Sequence, residues 1–199
     1  MSESIVRGGA SAASRRDVLR RATAELHAEL DRLAMGFDLR REDHYATMLA
    51  QHGAALFQLE AELDANGAEH ILPDWPQRRR SDALARDLAA FDLKAPRMAP
   101  VTGVMSRSWL YGTLYVLEGS RLGAEMLRRI VESSPSQKVR ENCRYFSHGA
   151  GHPFWRSFVS GLETAEFLDM QDAENGAREA FARFLHACRH ENTLLENVS

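Results

Sequence analysis

The sequence predicts an all-α fold, and three observations lead there. Apolar residues recur at steps of three and four through most of the chain, sustained alternation with β-branched enrichment is nearly absent, and glycine or proline separates the periodic stretches. With 199 residues, the chain is long enough to bury a core without disulfide staples.

The first helix is expected to begin near Ser14, whose hydroxyl suits an N-cap while Asp17 stands in the capping-box position. Leu19, Ala22, Leu26, Leu30 and Leu33 form its apolar face, and Gly36 after Met35 ends it. A second helix is predicted over 42–66, with Tyr45, Met48, Leu49, His52, Leu56, Leu59 and Leu63 on one stripe and Asn66–Gly67 as its stop. Pro73 and Pro76 mark a loop, and a shorter helix follows over 81–91, carrying Leu84, Leu88 and Phe91.

Pro96, Pro100 and Gly103 mark an irregular stretch before a long helix over 106–131 built on Leu110, Leu114, Leu117 and Leu122. A helical turn through Val139 and Cys143 and a glycine joint at 149–151 come next. Pro153 suits the first turn of a helix that buries Phe154, Trp155, Phe158 and Leu162. A final helix over 172–190 presents Ala177, Phe181, Phe184, Leu185 and Cys188. Five or six helices without repeats imply a compact multi-helix bundle, with residues 1–14 as a flexible leader and 15–199 as one helical domain.

The composition excludes several classes. A net charge of −3, from 25 basic and 28 acidic residues, offers no broad positive field for nucleic acid. The run Arg78–Arg79–Arg80 reads as a solvated patch beside a turn. No window approaches the roughly eighteen uncharged apolar residues of a membrane span. Cys143 and Cys188 fit neither a disulfide framework nor a zinc pattern, so a reducing, cytoplasmic setting is the default expectation.

Three features bear on chemistry. Gly112, Gly119 and Gly123 share one face of the long central helix, at a propensity cost of about 1 kcal/mol each. Bare backbone there admits either another helix or a flat ligand, and both readings stand. His27 sits at the border of the first helix's apolar face, a place from which an imidazole enters a pocket, although such a histidine is more often structural. His52 reads as a hydrogen-bonded core histidine. The third feature is an absence: no Glu-x-x-His occurs, which removes a ferritin-like diiron centre. His186 and His190 are four apart but lack the glutamate of a metalloprotease helix.

Two segments carry a resemblance. Residues 19–31, Leu-Arg-Arg-Ala-Thr-Ala-Glu-Leu-His-Ala-Glu-Leu-Asp, and residues 115–124, Tyr-Val-Leu-Glu-Gly-Ser-Arg-Leu-Gly-Ala, look like the proximal and distal helix motifs of the heme oxygenase family, especially its bacterial forms. The segment His-Pro-Phe-Trp-Arg-Ser-Phe, 152–158, resembles the family's later heme-edge helix. The resemblance implies a heme held between proximal and distal helices, with His27 as the iron ligand, Arg20 and Arg156 as propionate partners, and Thr23 at a recurrent position of the proximal segment. It implies Gly119 and Gly123 as the backbone lying over the ring and Ser120 as the residue beside an ordered water. Two departures stand out: Ala124, where a second glycine is common, and Arg121, where a small polar residue is common.

The implied reaction opens heme to biliverdin, carbon monoxide and iron, using O2 and electrons from an external ferredoxin, flavodoxin or reductase, since the chain has no flavin or nicotinamide motif. Two alternatives remain at this level. One is a non-catalytic heme or bilin carrier, which Arg121 and Ala124 would favour if they close the oxygen side; the other is a helical protein-interaction module.

Overall fold

A computed structural model describes residues 13–196, with side chains as far as Arg189. Residues 1–12 of the expected leader lie outside the described residues. Among those described, the secondary structure is entirely helical: α1 (Arg15–Ala22), α2 (Ala24–Ala34), α3 (Glu42–Ala65), a 3-10 turn (Ala68–His70), α4 (Trp75–Arg78), α5 (Ser81–Ala90), α6 (Arg107–Glu132), α7 (Gln137–Glu141), α8 (Arg144–Ser147), α9 (Phe154–Thr164) and α10 (Met170–Glu196).

The caps are local chemistry. Ser14, Ser106 and Ser136 accept hydrogen bonds from the backbone N–H groups of Asp17, Trp109 and Val139, three residues on, at 3.1, 3.0 and 3.3 Å. A reciprocal cap joins α1 to α9. The Glu163 carboxylate accepts from the first N–H groups of α1, Arg15 at 3.0 Å and Arg16 at 2.9 Å. The Arg15 guanidinium in turn donates to the carbonyls of Leu162, Glu163 and Ala165 at the end of α9.

One expected helix is two. The continuous first helix breaks at Thr23, which leaves helical geometry at φ −113° and ψ 2°. Its hydroxyl donates to the Leu19 carbonyl at 2.8 Å, a back-bond that competes with the helix ladder.

α10 is the hub, with α6, α3, α2 and α1 all packed against it. α6 and α10 meet backbone to backbone. A Cβ on Gly112 would lie 1.8 Å from the Ala173 carbonyl oxygen, and one on Gly176 would lie 2.3 Å from that of Trp109. Around this contact the core closes over Leu49, Leu56, Leu59, Leu114, Phe158 and Leu162, all fully buried. α9 packs on α6 and α1, while α8 bridges α6 and α5. α2 and α6 form no substantial contact with each other, although both lie on α10.

The arginine run is a correction. Arg78 and Arg80 are 2 % and 3 % exposed; they are interior residues, because carboxylates and carbonyls from α3, α6 and α9 converge on them.

Candidate active site

The His27 imidazole projects from the middle of α2 with 61 % of its side chain exposed. Its Nδ1 lies 3.0 Å from Oδ2 of Asp31, one turn further on. A proton on Nδ1 directed at Asp31 leaves the Nε2 lone pair free, the arrangement that orients a metal-ligating histidine. The ring stands edge-on to Phe181 of α10 at 5.6 Å between centroids.

From Phe181 a continuous wall runs to α6. Phe184, on the same helix, meets His52 at 5.7 Å between centroids. His52 Nδ1 is 3.0 Å from the Tyr145 hydroxyl. The Arg80 guanidinium lies 5.2 Å over the Tyr145 ring and donates to Ser120 Oγ at 2.9 Å. Ser120 itself donates to the Leu117 carbonyl at 2.8 Å. Burial and then Arg80 push the His52 pKa down to about 4, so that its ring is neutral, and burial raises the Tyr145 phenol. The core reading of His52 agrees with this hydrogen-bonded, neutral state. Tyr145 carries no sequence signal, and Arg80 reads from sequence only as part of a solvated run, because the burial of one arginine within three leaves no signal in composition.

The three central glycines divide their roles. Gly112 serves helix packing, as described. Gly119 faces the Trp155 ring of α9, 3.5 Å from where a Cβ would stand. Gly123 faces open space, with no atom within 4 Å of that position. The same side of α6 continues into Leu122, Met126 and Ile130, which are 63 %, 63 % and 36 % exposed. Contiguous exposed apolar surface next to a bare backbone marks a face built to be covered.

The remaining expected residues lie near these walls. Thr23 is buried. Arg20 is exposed and 3.6 Å from Asp17. Arg156 lines an open recess of about 460 Å3 together with Leu122, His152 and Trp155. Ala124 is buried in the core. Arg121 turns away from the glycine face: it donates to Glu118 at 3.1 Å and to the carbonyls of His148 and Arg78. It therefore does not close the face on which Gly123 opens. No group of three or more potential metal-ligating residues exists among the described residues, and His190 lies outside the described side chains.

The structure thus defines an all-helical protein that leaves an exposed imidazole beside a carboxylate on α2 and an unobstructed glycine among exposed apolar side chains on α6. The sequence model of the heme oxygenase family matches residues 14–190. A heme oxygenase of Xanthomonas campestris pv. campestris is 30% identical over 149 residues, spanning 73% of this chain and 88% of its own. The heme oxygenase PigA of Pseudomonas aeruginosa is 28% identical over 171 residues, 81% of this chain and 85% of its own.

Among solved structures, the heme oxygenase of Neisseria meningitidis in its NO- and CO-bound forms superposes with a TM-score of 0.69 at 20% identity, over 90% of this chain and 92% of that one. The Leptospira interrogans enzyme gives 0.64 at 18% identity, over 88% and 98%. The fold is that of the heme oxygenases, and the chain belongs to the heme oxygenase family, whose reaction is oxidative heme cleavage. It is a heme-degrading oxidoreductase. No described helix is long and apolar enough to cross a membrane.

Proposed function

We propose that heme lies between α2 and α6, with His27 as its iron ligand and Gly123, with Gly119 beside it, as the backbone facing the opposite side of the ring. One observation carries this reading: α2 and α6 both rest on α10 without packing on each other, and the surfaces they leave open are an exposed imidazole and an unobstructed glycine. The residues fit the group. Bound heme supplies both the iron at which O2 is reduced and the ring that is opened to biliverdin, carbon monoxide and iron.

The chain's own residues have distinct tasks. Asp31 holds the His27 ring by its Nδ1 proton. Gly123 keeps side-chain atoms off the ring so that the reacting oxygen stays near it. Ser120, held by Arg80, places a hydroxyl at the edge of this face for an ordered water. Arg20 and Arg156 are exposed cations suited to the carboxylates of the propionates, and Thr23 fixes the joint from which α2 departs.

Electrons come from an external ferredoxin, flavodoxin or reductase. The family match over 14–190 supports one domain across 15–199. Two free cysteines, Cys143 and Cys188, accord with a cytoplasmic location. The carrier reading rested on Arg121 and Ala124 closing the oxygen side; the Arg121 side chain points elsewhere, and Ala124 is buried in the core.

The test is an absorbance time course with equimolar hemin in air, a ferredoxin reducing system and catalase. Loss of the Soret band with growth of a biliverdin band is the expected outcome. Replacement of His27 by Ala should abolish the histidine-ligated spectrum, and added imidazole should restore it. An unchanged spectrum in that variant would overturn the ligand assignment.

A further inference from the structure

Behind the glycine face of α6 sits a buried ionic cluster that ties one turn of this helix to the rest of the protein. At about 3.6 residues per turn, Arg121 lies nearly opposite Gly119 and Gly123, and Glu118 lies on the flank of the helix between Arg121 and Gly119. Glu118 is fully buried. One carboxylate oxygen accepts from Arg78 at 2.8 Å, and the other accepts from Arg121 at 3.1 Å. Arg121 also reaches the carbonyl of Arg78, which closes a ring of contacts between the two segments.

Arg78 is engaged at every guanidinium nitrogen. Besides Glu118 it donates to Asp74 at 2.7 Å, to the Phe154 carbonyl at 2.9 Å and to Ser157 Oγ at 2.7 Å. Both guanidinium groups lie over the Phe154 ring, at 4.6 Å for Arg78 and 5.0 Å for Arg121. Two residues on, Arg80 donates to the Leu117 carbonyl at 3.1 Å and to Ser120. The Arg80 and Ser81 backbone N–H groups are held by the buried Glu60 of α3 at 2.8 and 3.0 Å. The segment 78–81 is thus anchored to α3 and α9, and it grips α6 from Leu117 to Arg121.

We propose that Glu118, Arg78 and Arg121 form a clamp that sets how α6 stands over the ring, and that Arg121 is a positioning residue for the choice of the ring carbon that is opened. The inference rests on the reading that heme faces Gly119 and Gly123. A glycine face has no side chain to wedge against a neighbour, and glycines within a helix loosen it. The height and rotation of that backbone over a ligand are then set by whatever holds the helix from behind. Here the holders are charged, buried and geometrically forked, so they admit one arrangement.

The experiment compares the full-length wild type with Arg121→Met and Arg121→Lys. Arg121→Met leaves the Arg78–Glu118 pair intact. Arg121→Lys keeps the charge and removes the fork that reaches the two carbonyls, so it remains informative if the methionine variant folds poorly. Hydrogen exchange on the heme-free protein is the first readout. Amides over 117–124 should exchange at least about tenfold faster in Arg121→Met, with α10 amides around Ala177 unchanged within about twofold.

The second readout is the distribution of biliverdin isomers separated after turnover. A minor isomer should rise to a tenth or more of the product in Arg121→Met, with a smaller rise in Arg121→Lys. Leu63→Ala, a truncation in the core of α3, controls for general loss of stability and should leave the distribution unchanged. Unchanged exchange would overturn the clamp. Faster exchange with an unchanged isomer ratio would overturn the positioning role. Failure of the His27 substitution to alter heme ligation would overturn the reading of the site instead, and the exchange measurement, made without heme, separates the two.

Discussion

The Nδ1 of His27 lies 3.0 Å from Oδ2 of Asp31, on the next turn of the same helix. This contact orients the ring from within α2, alongside its edge-on contact with Phe181 of α10. Both side chains are more than half exposed, so water competes with the bond and its effect belongs at the low end of what orienting carboxylates contribute. Asp31→Ala is expected to weaken hemin binding by about tenfold, read by Soret titration. An affinity equal to wild type would show that the heme iron does not depend on this orientation.

Gly112 and Gly123 lie on the same helix and predict opposite outcomes for the same substitution. A Cβ at residue 112 meets the Ala173 carbonyl at 1.8 Å, and backbone on both sides prevents relief. Gly112→Ala should cost about 3 kcal/mol and lower Tm by roughly 10 °C. A Cβ at residue 123 meets nothing. Gly123→Ala should raise the stability of the heme-free protein by up to about 1 kcal/mol through helix propensity, while the new methyl weakens hemin binding. Thermal melts with and without hemin check both, and a destabilised heme-free Gly123→Ala would contradict the open face.

His52 predicts a pH dependence. Its pKa is depressed from 6.5 to about 4 by burial, with Arg80 adding to the effect. The unfolded chain therefore takes up this proton first as pH falls, and the stability that the neutral ring contributes, present in full above pH 6.5, is lost progressively down to pH 4. The loss is on the order of 3 kcal/mol. His148, also lowered to about 4 by burial, Arg121 and Arg80, adds in the same window and the same direction. His52→Gln keeps a polar partner for Tyr145 without a titrating ring. Denaturant unfolding at pH 7 and pH 4.5 should show a drop smaller by about 2 kcal/mol in this variant. An equal drop in both proteins would exclude His52 as a source.

The helices were legible because periodicity reports local geometry. The long helix expected over 106–131 is Arg107–Glu132, and the serine caps at Ser14 and Ser106 are where a hydroxyl three residues before a free N–H should be. The expected first helix is interrupted because Thr23 forms a back-bond that its side-chain type permits but does not require.

The sequence by itself determined an all-α chain, placed His27 at the border of an apolar face, and put Gly119 and Gly123 on one side of one helix. Tertiary structure alone decided which glycine packs and which stays open, since the neighbour of Gly112 is Ala173 on another helix. It alone turned an arginine run that reads as solvated into the interior of a clamp, since the partners of Arg78 and Arg80 lie on α3, α6 and α9. The physical reason is range. Side-chain spacing along a helix is set by backbone geometry within a few residues, whereas the burial of a charge depends on carboxylates and carbonyls dozens of residues away, brought to it only when the helices pack around α10.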